Sequence, residues 1–492
     1  VRALPHLSES TLPLLKQSGV TVPRYDRREV GVGVVHFGPG AFHRVHQAYY
    51  FDDLLNLDNR WGICEVALQS TGVRDALAPQ DGLYTLAILD SSPSMRVIGS
   101  AKEFLVARES PEAVLKRLIN PATRLITATI TEKGYCLTAD GSLDTTNVDV
   151  QHDLAHPDRP LTFVGYVVEA LRQRRANNLS PPNIISCDNL TNNGTRLRNA
   201  VVALASTRDQ GLATWIANEV AFPCTMVDSI TPATDDALRI RVSTALGLED
   251  AWPVQREAFT QWVIEDSLRG LVPDLDSAGV TITNDVNGFE YAKLRLLNGA
   301  HSSLAYIGGL AGLETVSQAM TTPALAKFIH HLMQDIRSTV KAPRGLDLSQ
   351  YIESLQQRFL NPMLPHRLAQ IAWDGSQKIP FRLLGTITDL LTSGAPIARL
   401  CLPIAAWFHF IRRQALRGDH VVDPLAKQLF AIGNACSGVA AFDVASFLSL
   451  DRVFPRALVS SPTFIASLES AYQRLDSVRQ PQDLHAALLI NS

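Results

Sequence analysis
Residues 32–35 form a short apolar run that gives way to Gly38-Pro-Gly40, and a segment with helical character, 44–57, follows at once. A strand, a glycine turn and a helix in that order are the start of a wound sheet, and no other feature limits the fold as much. The alternation continues down the chain. Residues 63–68 read as a second strand, ending in the polar Gln69-Ser70-Thr71-Gly72, and 125–130 and 183–186 read as further buried strands. Residues 112–118 and 164–175 have helical spacing between them, while 84–89 and 95–98, separated by a polar turn from Asp90 to Ser94, read as a hairpin-like pair. The expected first domain is therefore α/β, with a mostly parallel, wound sheet.

From about residue 284 the texture changes. Leu325, Phe328, Ile329, Leu332, Met333 and Ile336 recur at helical spacing behind Pro323, which suits a first helical turn. Similar spacing recurs at 350–359, 383–392, 402–417, 424–432 and 464–475, so the second half is expected to be mainly α-helical. A chain of 492 residues exceeds one ordinary core. We divide it into a dinucleotide-binding domain, 1–285, and a mainly helical substrate and catalytic domain, 286–492.

Several function classes are disfavoured by composition. The net charge of −3 offers no global basic field for nucleic acid or an anionic membrane. No apolar run approaches the roughly 18 residues of a membrane span, and VRALPHLSES lacks the apolar core of a secretory signal. The expectation is a soluble, cytoplasmic protein. Six cysteines stand singly with no CxxC pair, which argues against a disulfide framework or a zinc knuckle.

Gly38, Gly40 and Ala41 occupy the place of a dinucleotide fingerprint. The first glycine would make the tight turn, and the second would let a pyrophosphate approach the backbone at a helix N-terminus. A third glycine would fall at His43 and is absent, so an ordinary strand–helix turn stays open beside the cofactor reading. Arg44, at the helix start, would suit a phosphate contact. His43 and His46 stand three apart as metal ligands can, but no further ligand is suitably spaced, and packed histidines are the expectation. At the end of the second strand an acid would hold the ribose 2′-hydroxyl of NAD. Here stand Gln69, Ser70, Thr71 and Gly72 with Arg74 behind, which leaves NADP open as well as NAD.

In KLRLLNGAH, residues 293–301, Asn298 and His301 are neighbours at about 100° per residue, and Lys293 falls in the same broad arc. The flanking leucines would bury this helix, desolvating the lysine and favouring its neutral form. Such a lysine can accept a proton near neutral pH. The alternative is a snorkelling Lys293 with Asn298 as a local cap before Gly299. Two further polar clusters, Ser186-Cys-Asp-Asn189 and Thr131-Glu-Lys-Gly-Tyr135, follow strands where open α/β sheets gather ligand-binding residues.

FGPGAFHRVHQAYY, WGICEVALQS, TATITEKGYC, SCDNLTNNG, FPCTMVDSITP, QWVIEDS, KLRLLNGAHS and IAWDGSQKIP, in this order, cover most of the chain. Together they resemble the polyol-specific long-chain dehydrogenase/reductase family, which includes mannitol 2-dehydrogenase and the bacterial hexuronate oxidoreductases. The resemblance implies a Rossmann-type cofactor domain, a mainly helical domain with substrate between the two, NAD or NADP as cofactor, and hydride transfer without a metal. It makes Lys293 the general acid/base, with Asn189 and Asn298 donating to the developing oxyanion. It makes His301 a substrate-positioning residue, Asp228 a residue of the polyol pocket, and Glu290 a proton relay to water. Gly38, Gly40, Ala41, Phe42, Arg44 and Ser70 fall on the cofactor side. A monomer is a common state in such proteins. A cofactor-binding sensor without turnover is a remote alternative, and the intact lysine, asparagines and histidine speak against it.

The substrate divides the resemblance. The N-terminal segment resembles mannitol-type enzymes, and these polyol enzymes would act on mannitol/fructose or arabinitol/xylulose. TEKGYC and HRLAQIAWDGSQKIPFR resemble fructuronate and tagaturonate reductases, and we expect the fructuronate reductase type (D-mannonate/D-fructuronate). A hexuronate carboxylate wants a fixed cation. Lys133, His366, Arg367, Lys378 and Arg382 are the candidates. Ser229, where arginine is usual, and Arg256 depart from the family pattern near expected substrate loops.

Overall fold
The computed structural model describes residues 4–489 apart from 18, 139 and 365. The first three residues of VRALPHLSES and the last three of the predicted second domain lie outside the described residues. The chain forms two compact units, Val1–Asn287 and Gly288–Ser492. The first carries β1 (Val32–Phe37), β2 (Gly62–Ala67), β3 (Tyr84–Leu89), β4 (Ser94–Ile98), β5 (Ala101–Val106), β6 (Leu125–Ala128), β7 (Asn183–Ser186), β8 (Thr225–Asp228), β9 (Val254–Glu257), β10 (Gln261–Glu265) and β11 (Thr281–Thr283).

Five of these strands form an all-parallel sheet in the order β5-β2-β1-β6-β7. β1 lies at its centre, with Val34 opposite Ile63 on one side and Leu125 on the other. Helices such as Phe163–Ala176 and Asn193–Ser206 pack on this sheet, which explains the near-continuous apolar runs LITA and NIIS. Strand order reverses between β1 and β6, which have their neighbours on opposite sides. That reversal opens a crevice at the strands' carboxyl ends. The expected hairpin forms from β3 and β4 but does not extend this sheet. It pairs with β9 in a separate three-stranded sheet, and β11-β10-β8 make another.

The expected helix over 44–57 is interrupted. Ala41–Val45 and Gln47–Leu54 are separate helices that meet at His46, whose φ of −116° and ψ of −88° are not helical. The His46 amide donates to the His43 carbonyl at 3.1 Å, closing a tightened turn, and its Nε2 is 2.9 Å from the Gln261 carbonyl.

The second unit is helical. In Pro323–Arg337 the six apolar residues picked out by spacing are all buried along one stripe, and Pro323 occupies the first turn. The longest helix, Ala398–Arg417, packs against Gly299–Leu310, Ala426–Ala435 and Pro462–Leu475. No helix among the described residues is long and apolar enough to cross a membrane.

Gly375 sets one close approach in this unit. A Cβ there would lie 2.5 Å from Trp407 Nε1 and 2.6 Å from the Tyr306 hydroxyl, so the short helix Gly375–Ile379 sits directly on the core. Ser376 holds the same segment by donating its amide to Asp423 at 2.8 Å. Gly375→Ala is expected to cost about 1–3 kcal/mol, as overpacking of a filled core does, read as a lower urea midpoint.

Candidate active site
In the first unit, the turn after β1 depends on Gly38. Its φ is +91°, and a Cβ would stand 2.1 Å from the Thr129 carbonyl oxygen, so only glycine fits. The Gly38 amide donates to Val66 and its carbonyl accepts from the Thr129 hydroxyl at 2.8 Å, tying the ends of β1, β2 and β6. Gly40 is exposed, and the nearest atom to a Cβ built there is 3.9 Å away. That open space above bare backbone is what a pyrophosphate requires.

Beneath the turn lies a buried polar stack. His36 and Glu65 are opposite one another in register on β1 and β2, and the His36 and His43 rings stack at 3.4 Å. His43 Nε2 is 2.9 Å from Glu65 Oε1, an ion-pair distance. Burial nevertheless favours the neutral form of both groups, raising Glu65 to about 7 and lowering His43 to about 3. Glu65 Oε2 and His43 Nδ1 are buried without hydrogen-bond partners, which a charged pair would tolerate poorly. We therefore read a largely neutral hydrogen bond. His43 is thus held by Glu65 and His46 by Gln261, each by a separate partner.

Arg44 corrects an expectation. It is 1% exposed, donates to the Trp252 carbonyl at 2.8 Å, and lies against the rings of Trp252 and Tyr84. Its guanidinium serves packing and is not presented to a phosphate. Phe42 stacks on His46 at 4.9 Å, and the Ser70 hydroxyl accepts the Gly72 amide at 3.3 Å.

A pocket of about 330 Å³ opens past β2 and β5, where a wound sheet receives an adenosine, and is lined by Gln69, Arg108, Glu109, Glu112 and His152 among others. Arg74 is ion-paired to Glu109 and to Asp75. Glu109, just past the end of β5, brings a carboxylate to the pocket beside the end of β2, from about 40 residues away in sequence. Reading the second strand alone could not find it.

The two other polar clusters meet. Asp188 accepts the amides of Ile130 at 2.9 Å and Thr131 at 3.0 Å, and the Tyr135 hydroxyl at 2.6 Å. This fixes the loop carrying Asn189 against the turn carrying Lys133, which is exposed. Asp228 is buried at the end of β8. Ser229 donates to the Phe259 carbonyl at 3.0 Å. Arg256, the other departure from the family pattern, is buried in β9, donates to the carbonyls of Glu257 and Ala258, and lies over the Tyr49 ring. Its guanidinium is engaged with its own strand and that ring.

In the second unit, Lys293 begins a π-helical turn, Lys293–Asn298, set between Val286–Ala292 and Gly299–Leu310. Glu290 is half-buried in the preceding turn. Around an ordinary α-helix, residues five apart are about 140° apart. The wider i→i+5 turn brings Lys293 and Asn298 closer to one face. Asn298 is helical, with φ −72°, and makes no capping bond, so the local-cap alternative does not hold. Gly299 lets this run approach a second π-turn, Pro380–Leu384: a Cβ would be 3.1 Å from the Arg382 carbonyl.

His301 is 7% exposed, and its Nε2 has no hydrogen-bond partner among the described residues. Its ring lies 4.9 Å from His366, which the pairing of 366–368 with 314–316 positions. Burial first, then the charges of His366, Arg382 and Arg358, holds His301 well below the ordinary histidine range. Arg382 is half-buried and donates to the Ser302 hydroxyl at 3.1 Å. Burial lowers it to about 10, and no carboxylate lies within ion-pair distance among the described residues. Lys378 is half-buried, its ammonium 3.4 Å from the Ile371 carbonyl. The structure thus groups His301, His366 and Arg382, while Arg367 is exposed and lines a different pocket.

A Rossmann-type sheet with this glycine turn, followed by a helical unit carrying lysine, asparagine and histidine on one run, defines a two-domain oxidoreductase. The family model described as the mannitol dehydrogenase Rossmann domain matches residues 32–277, and that of the mannitol dehydrogenase C-terminal domain matches 285–476. The chain belongs to the mannitol dehydrogenase family. It is 40% identical over 477 residues to D-mannonate oxidoreductase of Escherichia coli (strain K12), covering 95% of this chain and 96% of that one. The Pseudomonas fluorescens mannitol 2-dehydrogenase ternary complex with NAD and D-mannitol aligns with a TM-score of 0.82 at 35% identity, covering 98% of each chain. Substrate-free D-sorbitol dehydrogenase aligns with a TM-score of 0.90 at 32% identity, covering 98% of this chain and all of that one.

The Glu65 carboxyl gives a test of the buried stack. Between its unfolded value of 4.5 and about 7 the folded chain binds more protons than the unfolded one, so this group's stabilisation is present below pH 4.5 and is lost as pH rises to 7. Glu65→Gln removes the loss. Its unfolding free energy relative to wild type should rise between pH 5 and 8, by up to about 3 kcal/mol from the linkage relation.

Proposed function
We propose that the chain is an NAD-dependent oxidoreductase that interconverts the secondary alcohol of a sugar acid with its ketone, of the D-mannonate/D-fructuronate type. Arg382 carries the substrate class. A guanidinium that is half-buried without an acid is costly, and a substrate carboxylate would supply the missing partner through charge-assisted hydrogen bonds. The likeness to D-mannonate oxidoreductase agrees with this reading. The polyol reading is the second one, favoured by the likeness to the mannitol- and sorbitol-acting enzymes.

For the cofactor, Gly38, Gly40, Ala41 and Phe42 would border the pyrophosphate and Ser70 the adenosine ribose. NAD is preferred over NADP because Glu109 neutralises Arg74 and, with Glu112, would repel a 2′-phosphate. Bound NAD supplies the hydride acceptor in oxidation and the donor in reduction. Lys293, neutral, takes the hydroxyl proton in oxidation and its ammonium returns a proton to the carbonyl oxygen in reduction. Asn189 and Asn298 donate to that oxygen as charge develops, each worth on the order of 10²–10³ in rate if it acts as an oxyanion-hole donor. The unpartnered His301 Nε2 orients the hydroxyl. Glu290 passes the proton to water, and Asp228 and Lys378 contact the remaining hydroxyls. Lys133 is the further cation for the carboxylate end.

Reduction of fructuronate, tagaturonate, fructose and xylulose, each with NADH and NADPH, tests the assignment. Fructuronate with NADH should have the highest kcat/KM, and a preference for fructose would replace the sugar-acid reading with the polyol one. Arg382→Leu should lower kcat/KM for fructuronate by about 10- to 100-fold, the value of a hydrogen bond to charge, while sparing that for fructose. Lys293→Ala should lower kcat by about 10²–10⁴ with NADH affinity retained. Glu109→Ala should raise kcat/KM for NADPH relative to NADH, and an unchanged ratio would remove Glu109 from cofactor selection.

A further inference from the structure
A second cationic pocket lies at the carboxyl end of helix Gly299–Leu310. Its volume is about 650 Å³, within the range of small-molecule sites. Gly309 is eight residues beyond His301, roughly 12 Å along the helix at 1.5 Å per residue, and none of Lys293, Asn298, His301, Lys378 and Arg382 lines this pocket.

Arg367, Arg413, Arg417 and Arg479 line it, against one carboxylate, Glu314. None of these five forms an ion pair within 4 Å among the described residues. Two of the arginines have structural duties. Arg413 donates to the Leu310 carbonyl at 2.9 Å and the Val478 carbonyl at 2.5 Å, and Arg479 donates to Val478 at 2.8 Å. These bonds engage the helix end and leave the cations unneutralised. Burial and the neighbouring Arg479 and Arg417 push Arg413 down to about 10, so the arginines repel one another. Arg367 and Arg417 are exposed, with no side-chain bond among the described residues. Leu310, Leu313 and Phe410 give the pocket an apolar wall, and Gln414, also lining it, has a buried Oε1 without a partner.

We infer that this pocket binds a hydroxylated phosphate ester, with the phosphate among the four arginines, a hydroxyl donating to Gln414 and the carbon skeleton against Leu310 and Phe410. A doubly charged phosphate meets this excess of guanidinium better than a single carboxylate, and the guanidinium fork matches its oxygens.

Calorimetric titration of the NADH-saturated chain with glucose 6-phosphate tests this, with glucose and citrate as controls. Saturable binding of one glucose 6-phosphate per chain is expected, with glucose not binding and citrate weaker. Arg367→Gln/Arg417→Gln should weaken binding at least tenfold at an unchanged melting temperature, since both side chains are exposed. Absence of saturable binding at millimolar concentration, or binding unaltered in the double variant, would overturn the site. Citrate binding as tightly as glucose 6-phosphate would overturn the phosphate-ester assignment.

Discussion
The contact between Gly38 and the Thr129 carbonyl governs the first unit. β1 and β6 can lie side by side to their carboxyl ends only because position 38 has no Cβ and tolerates a positive φ. The crevice that opens there is the place where a wound sheet binds its ligand. Other polar groups are arranged around that contact. Thr129 holds the Gly38 carbonyl, His36 bridges Thr127 and Thr129, and His43 rests on His36 and Glu65. Histidines that could pass for metal ligands in the sequence are the polar filling beneath a turn.

In the second unit the corresponding constraint is the pair of π-turns. A π-turn forfeits good α-helical geometry, and such turns recur at functional sites for that reason. Here one presents Lys293 and Asn298, and the other carries Arg382. Gly299 permits the two to touch. Arg382 has no carboxylate within ion-pair distance among the described residues, so it adds positive potential beside His301. That potential also keeps His301 neutral, the form in which one ring nitrogen donates and the other accepts.

The sequence revealed what burial and spacing control. Strands covered on both faces are mostly apolar, so β1, β2, β6 and β7 could be read directly despite His36 and Glu65 within them, as could the stripe of Pro323–Arg337. The lysine run and the glycine turn were legible for the same reason: their polar residues interrupt apolar patterns. Side-chain direction was not legible. Arg44 follows the glycines yet turns inward onto Trp252 and Tyr84, and Arg256 is a buried strand residue. Glu109 could not be found because its relation to Arg74 exists only once β5 lies beside β2. The 100° spacing assumed for 293–298 failed because hydrogen-bond register, unlike hydrophobicity, has no signature in residue type.

The π-turn at 293–298 also bears on how such a site can change over time. The run continues into Leu304 and Tyr306, whose burial fixes the rotation of Gly299–Leu310 about its axis. Deleting one residue from the turn would let it close as an α-helix while the buried half kept its place. Lys293 and Asn298 would then stand four apart, about 40° around an ordinary helix, and would still share one face. The extra residue of the π-turn is therefore absorbed locally, and a single-codon insertion or deletion could add or remove such a turn while the packing that holds His301 and the shared face of lysine and asparagine are both kept.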